Sequence, residues 1–405
     1  MHKKFKSLFM LDPGIIYLNH GAYGACPKPV FDALVNYQKQ LEFEPTKHLA
    51  HDVFQYLEKS RESLSNYLNC HMNDIVFFPN PSTALNTVIR SLNLKEGDQI
   101  LTTNHEYGAL DKTWKFICKK TGAEYIQQTI PLPLNSKEEF IEYFCKGLTD
   151  KTKIIFISHI TSPTALIFPV KEICEIAKER GILSIVDGAH APAQIKLDLQ
   201  DVNSDIYVGA CHKWMCSPKG VSFLYVKKEL QSMIDPLVIS WGYEPENKSD
   251  SQFLDYHQWQ GTNDPSSYLT IPDVINFLDN NQWQGTNDMS PYLIIPEVIN
   301  FIKKYDWKKI SNRCKKNNID ARQRLLKLFN TSLLCKDASK WVGQMSSIIL
   351  PKCNSIDFYQ YLKSKNIEVP IIDWHNYQIL RISIQAYNTK EDVHSLLDML
   401  KKEFR

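Results

Sequence analysis

Ile185-Val186-Asp187-Gly188-Ala189-His190 and Ala210-Cys211-His212-Lys213-Trp214 are the two stretches from which the fold of this chain is read. The first ends the apolar run Ile182 to Val186, a buried strand that finishes in a carboxylate. The second follows another apolar strand, Asp205 to Gly209, and places a histidine and a lysine at its end. Working outward, Ile75-Val76-Phe77-Phe78, Gln99-Ile100-Leu101-Thr102, Lys153-Ile154-Ile155-Phe156-Ile157 and Val221 to Val226 read as further strands. Between them lie helical patterns, one after Ala84 and one from Val170 to Arg180 with Gly181 as its cap. Such alternation predicts an α/β domain with a mostly parallel sheet and helices on both faces. Sheets of this kind bind ligands beyond the carboxyl ends of their strands, where Asp187, Lys213 and Ser158-His159 all lie.

The last hundred or so residues read differently. A helical stretch covers about Ile295 to Leu328, followed by a strand at Ser346–Leu350, a helix at Ile356–Lys365, a strand at Tyr377–Ile384 and a closing helix at Lys390–Lys402. The predicted organisation is a large domain over 15–290 and a small α+β domain from 1–14 with 291–405. A tandem duplication occupies 257–304: Gln258-Trp259-Gln260-Gly261-Thr262-Asn263-Asp264 through Phe277 recurs as Gln282-Trp283-Gln284-Gly285-Thr286-Asn287-Asp288 through Phe301, with roughly two-thirds of positions identical over the full 24-residue period. Two copies are too few for a solenoid, so the repeat reads as an insertion within a globular domain.

Composition bounds the partners. The chain has 405 residues, 43% hydrophobic and 23% charged, and a formal net charge of +2. That size supports a large core, and that charge implies no pull toward nucleic acid or an acidic membrane. Ten cysteines are scattered without CxxC or metal-like spacing, which predicts reduced thiols and no metal. No apolar run reaches the roughly 18 residues of a membrane span. Asp12-Pro13-Gly14 ends the basic start too early for a signal peptide, so a cytoplasmic protein is expected.

An Asp and a Lys at neighbouring strand ends suit pyridoxal phosphate (PLP). The lysine can form an imine with its aldehyde, and the carboxylate keeps its pyridine nitrogen protonated so that the ring accepts electrons. Lys213, once released by substrate, is then the base at Cα. Asn80-Pro81-Ser82-Thr83 sits between a strand and a helix start, where Ser and Thr are ordinary N-caps but also the makings of a phosphate site. Tyr107, after a strand, reads as core or as a platform for a flat ring. Arg381 lies in Leu380-Arg381-Ile382-Ser383, either facing water from an edge strand or clamping a carboxylate.

Taken together, these segments resemble the class V aminotransferase family of fold-type I PLP enzymes, in the group of isopenicillin N epimerase and its relatives. The resemblance runs from Tyr17-Leu18-Asn19-His20-Gly21-Ala22-Tyr23-Gly24 to Arg381 through Thr389. It includes His105-Glu106-Tyr107-Gly108-Ala109, Thr161 to Ala165, Asp187 to Pro192, His212-Lys213-Trp214, Ser240 to Tyr243 and Trp259 to Thr262. It implies roles. Lys213 carries the imine and Asp187 the pyridine N–H, while His190 and His159 lie near the ring hydroxyl or the substrate. Tyr107 stacks on the ring, and Ser82, Thr83 and His212 hold the phosphate. Arg381 and Asn19 meet the substrate. A Gly-Thr pair from a neighbouring subunit completes the phosphate site, implying a homodimer with shared sites.

Three features depart from the family pattern. Pro81 removes one backbone donor, and Ala210 stands where relatives often place a polar phosphate ligand. The Gly-Thr pair is doubled: Thr262 has the family spacing from Lys213, and Thr286 belongs to the second copy. Here Gly261-Thr262 is expected at the phosphate, the second copy's helix in the usual helical slot, and the residues between as an excursion. The expected function is PLP-dependent, epimerase-like chemistry on an amino acid or amino-acid-containing substrate, with Lys213 removing the Cα proton. Alternatives are a carbon–sulfur lyase or aminotransferase, or a protein of this fold without turnover. The stretch Asn366 to Tyr377 holds no cysteine, which disfavours a cysteine desulfurase.

Overall fold

A computed structural model describes residues 6–279 and 307–403. Its strands, in chain order, are β1 (Ile16–Tyr17), β2 (Ile75–Phe78), β3 (Gln99–Thr103), β4 (Glu124–Gln128), β5 (Thr152–Ser158), β6 (Leu183–Gly188), β7 (Ile206–Ala210), β8 (Ser222–Val226), β9 (Met345–Ile349), β10 (Ile367–Glu368), β11 (Ile371–Trp374) and β12 (Tyr377–Ser383). Seven of them form one sheet in the order β2-β8-β7-β6-β5-β3-β4. All neighbours pair in parallel except those of β8, which runs antiparallel to β2 and β7.

The sheet is covered on both faces, which is why its strands are continuous apolar runs. Along β5, Ile154 and Phe156 pack into one cluster with Trp114 and Val208, while Ile155 and Ile157 enter the other with Val186 and Tyr207. Fully burying a side chain such as Phe156 contributes about 1.5–3 kcal/mol. The Val170–Glu179 helix buries Val170, Ile173, Cys174 and Ala177, a single helical stripe, and ends as expected where Gly181 adopts φ +65°.

The sequence reading did not mark β4. Its Glu124-Tyr125-Ile126-Gln127-Gln128 lies at the sheet edge and is only partly buried, so it lacks the apolar run of a central strand. It also did not mark the helices Lys28–Phe43 and Val53–Leu68.

The C-terminal part carries a three-stranded antiparallel sheet, β11-β12-β9, backed by the Trp307–Phe329 and Lys390–Glu403 helices. The short β1 reaches across the sequence to pair in parallel with β10.

One expectation about the repeat is corrected. The first copy is no excursion: its Ile271–Asp279 helix lies against the Lys28–Phe43 and Val53–Leu68 helices, with Leu269, Ile271, Val274 and Leu278 in the main core. Its own apolar face, recurring at helical spacing, is what docks it. The second copy, with Thr286, falls outside the described residues.

Candidate active site

A cavity of about 360 Å³ opens beyond the carboxyl ends of β5, β6 and β7. It is lined by Asp187, His190, His212, Lys213, Ser82, Tyr107 and Arg381, so seven of the site residues expected from the sequence meet in one place. Two strand ends and a loop explain the meeting. β6 and β7 are neighbours in parallel register, Asp187 opposite Val208, so the residues leaving both strands emerge side by side.

Asp187 is buried, and its Oδ1 accepts the Ala189 N–H at 3.0 Å. Burial raises its pKa, opposed by that N–H and by the Lys213 charge. Lys213 sits in the turn after β7 with its Nζ 3.2 Å from His190 Nε2. Burial lowers its pKa to about 8, with Asp187 acting against the shift and Arg381 adding to it. His190 is held neutral by burial first and then by the nearby cations. Trp214 Nε1 donates to His190 Nδ1 at 3.4 Å, so the imidazole proton resides on Nε2, facing the lysine amine. The Lys213 backbone is fixed as well. His20 Nε2 lies 3.1 Å from its carbonyl, and a Cβ on Gly24 would run into that same carbonyl.

The anion-binding end is the N-terminus of the Pro81–Ser91 helix. Asn80 caps it, its Oδ1 accepting from both Thr83 N (2.8 Å) and Thr83 Oγ1 (3.1 Å). Thr83 is thereby withdrawn from the cavity, contrary to expectation, and Pro81 has no N–H. Ser82 is left as the donor of the first turn. His212 gives its Nδ1 proton to the Val221 carbonyl at 2.7 Å, and burial lowers its pKa to about 4. An anion bound beside its other nitrogen would favour protonation there.

Arg381 is not an edge-strand residue. β12 is the middle strand of the small sheet, and the guanidinium is buried. Nη1 donates to the Ser162 carbonyl (2.5 Å) and Ser162 Oγ (3.1 Å), while Nε has no partner. Burial lowers its pKa to about 10, which still leaves it a cation at neutral pH. Among the described residues no carboxylate is within ion-pair distance of it. A buried cation with an unsatisfied donor on a cavity wall is built for an incoming anion.

Three other expected residues lie elsewhere. His159 is turned under the sheet, its Nδ1 2.9 Å from the Tyr207 hydroxyl, because β5 leaves its side chain on the face of Tyr207 and not on the cavity. Asn19 is set back too: its Nδ2 donates to Glu368 at 3.2 Å. Thr262 lines a separate surface cavity of about 1010 Å³, together with Arg61, Trp241 and Trp259. Cavity residues that the sequence reading gave no role are Tyr23, Asn80, Ser158 and Ser162. Tyr23, Asn80 and Ser162 fall inside quoted motifs, and the sequence places Ser158 with His159 at a ligand-facing strand end without giving it a role of its own.

The donor set fits pyridoxal phosphate. There is a carboxylate for a protonated pyridine nitrogen, a lysine amine for the aldehyde, a half-exposed Tyr107 ring for the flat face, and a helix N-terminus with Ser82 and His212 for the phosphate.

The chain is similar to known proteins over most of its length. The Aminotransferase class-V family model matches residues 16–396. Isopenicillin N epimerase of Amycolatopsis lactamdurans is 30% identical over 406 residues, covering 97% of this chain and 96% of its own. A probable chloroplastic L-cysteine desulfhydrase of Arabidopsis thaliana is 24% identical and covers 96% of this chain and 83% of its own. A solved structure of C-DES with glycine covalently linked to its PLP cofactor superposes with a TM-score of 0.79 at 20% identity, covering 98% of each chain. The chain belongs to the class-V aminotransferase family and is a pyridoxal-phosphate-dependent enzyme of fold type I.

Proposed function

We propose that this enzyme removes the α-proton of an amino acid, or of a substrate that carries one, with Lys213 as the base and Arg381 as the carboxylate anchor. The observation that carries the reading is the pair of opposed groups on one cavity: an amine whose pKa is brought down to about 8, and a buried guanidinium with no carboxylate of its own. Bound PLP supplies an electron sink for the negative charge that develops at Cα. The chain's own residues do the rest. Arg381 and Ser162 orient the carboxylate, which fixes where the Cα–H bond points. Lys213 Nζ takes the proton on its lone pair, and the neutral His190 imidazole beside it adds no positive charge to oppose the ammonium that forms. Asp187, buried at the cavity wall, would hold the ring nitrogen as the fixed negative charge.

Return of the proton to the opposite face gives epimerisation, as in the isopenicillin N epimerase relatives, and is the first reading. A second reading, carbon–sulfur elimination, is favoured by one observation. Inversion needs a proton carrier across from Lys213, and among the described residues the titratable groups lining the cavity besides Asp187, His190, His212 and Arg381 are Tyr23 and Tyr107, whereas elimination needs a single base. A cysteine-nucleophile route is not proposed. β11 and β12 are joined by a tight turn at His375-Asn376, and no cysteine lines the cavity among the described residues. Chiral chromatography of a panel of amino acids and small peptides after incubation separates the readings: an inverted centre supports epimerisation, and pyruvate or ammonia supports elimination. No change in any panel member overturns both.

The active unit that we infer is a homodimer. Thr262 is remote from the Lys213 cavity of its own chain, and the surface cavity that it lines includes the exposed Phe54 (42%) and Trp241 (87%), an apolar surface suited to a second copy. Gly261-Thr262 then completes the partner's phosphate site. All ten cysteines are free thiols, which suits a reducing cytoplasm. Among the described residues no helix is long and apolar enough to cross a membrane.

A further inference from the structure

Glu106 is buried beneath the cavity with no positive partner. It is 4% exposed, and among the described residues no lysine, arginine or histidine reaches it as an ion pair. Both carboxyl oxygens meet hydroxyls on neighbouring strands: Oε1 lies 2.7 Å from Thr103 Oγ1, and Oε2 lies 2.5 Å from Ser158 Oγ. Ser158 lines the cavity and is paired in register with Asp187 on the next strand. Two carboxylates so near each other in a dry interior cannot both hold a charge cheaply. Asp187 has an N–H donor and the Lys213 amine to support its charge, whereas Glu106 has only hydroxyls. Burial accordingly raises the Glu106 pKa to about 8, opposed by the Ser158 and Thr103 hydroxyls and helped to a lesser degree by Asp187.

We propose that Glu106 is a positioning residue that works as a neutral acid: its proton is donated to Ser158 Oγ, and the Ser158 hydroxyl is thereby turned into the cavity as a donor to the bound cofactor. The directions follow from counting protons. A neutral carboxyl has one donor and one acceptor oxygen. Thr103 Oγ1 already accepts the His105 N–H at 3.1 Å and gives its own proton to Oε1, so the O–H is left for Ser158. Ser158 Oγ, now an acceptor, spends its own proton elsewhere, and the open side is the cavity. An ionised Glu106 would instead consume the Ser158 proton and leave only lone pairs facing the cofactor. The same neutrality leaves Asp187 as the single carboxylate charge at this end of the cavity.

The inference rests on the assignment of this cavity to the cofactor, and the test keeps the two apart. Infrared difference spectra of the full-length protein at neutral pH, wild type against Glu106→Gln, are recorded with and without PLP. A protonated carboxyl C=O band, sensitive to D₂O and absent from Glu106→Gln, is expected in both states. Its absence overturns the proposal whatever PLP does, while failure of the wild type to bind PLP overturns the cavity assignment instead. PLP affinity is the second readout. Glu106→Gln, whose amide can still accept from Thr103 and donate to Ser158, should hold PLP within about threefold of wild type. Glu106→Ala and Ser158→Ala should each weaken it about tenfold, and the double variant no further than either. Equal loss in Glu106→Gln and Glu106→Ala, or additive loss in the double variant, contradicts the proposal. Thermal unfolding of each variant identifies a general folding defect, and the infrared band of the wild type stands independently of it.

Discussion

Lys213 Nζ lies 3.2 Å from His190 Nε2, while Asp187 acts on it only through space and forms no ion pair with it. That arrangement makes the amine usable. A lysine locked to a carboxylate would keep its proton to high pH, whereas here burial dominates and the pKa falls to about 8. The neighbouring imidazole is neutral, so it adds no repulsion when the amine takes up a proton.

The low pKa is directly measurable in cofactor-free enzyme. At pH 8 about half of Lys213 is neutral, against well under a hundredth of an ordinary surface lysine, so its modification by an amine reagent should be faster by on the order of a hundredfold. The same shift has a stability consequence. Between about pH 8 and 10.5 the unfolded chain holds a proton that the folded chain has lost, so the destabilisation caused by burying this lysine is full below pH 8 and fades as pH rises toward 10.5. Peptide mapping of the modified lysines across pH checks the first statement, and melting curves of wild type against Lys213→Met check the second.

Asp187→Asn removes the charge that sustains both the pyridine N–H and the lysine proton. PLP affinity should fall roughly 10- to 100-fold, the range of a lost charge-assisted hydrogen bond. Because Asp187 raises the Lys213 pKa, that pKa should drop further below 8 in the variant. Equilibrium dialysis and the pH dependence of lysine modification report the two effects separately.

Arg381→Lys should leave PLP bound but raise KM for the amino-acid substrate by about tenfold or more, since a point charge cannot reproduce the guanidinium fork held by Ser162. Arg381→Ala should raise it further. An unchanged KM in both would remove the carboxylate role.

Shared sites predict complementation. Mixing Lys213→Ala with Thr262→Ala subunits creates dimers in which one site draws Lys213 from one chain and Thr262 from the other. Activity above that of either parent, measured after subunit exchange, is the expected outcome. Simple averaging of the parents means that Thr262 serves its own chain or none.

How far the sequence reached follows from what each residue's signal was. The central sheet was legible because its strands are buried on both faces and therefore apolar throughout, as Ile154 to Ile157 show. Edge strand β4, half in water, gave no such run. Asp187 and Lys213 were legible because strand ends in parallel register bring such residues together. Thr83 and His159 were misplaced because hydrogen bonds to Asn80 and Tyr207 decide their directions, and neither partner is implied by spacing. Arg381 was left open because nothing local shows that β12 is a central strand. The Ile271–Asp279 helix was misjudged since both copies carry the same apolar face, and only packing against the Val53–Leu68 helix shows that the first one docks.

The central claim is that Lys213 moves the α-proton. Its most direct measurement is deuterium incorporation at Cα in D₂O, followed by NMR or mass spectrometry, for an amino acid that perturbs the visible spectrum of the PLP-bound enzyme. Wild type should incorporate deuterium, and Lys213→Ala, with PLP still bound, should do so about 10²–10⁴-fold more slowly. Undiminished incorporation by Lys213→Ala, or turnover by wild type with the α-proton fully retained, would contradict the account.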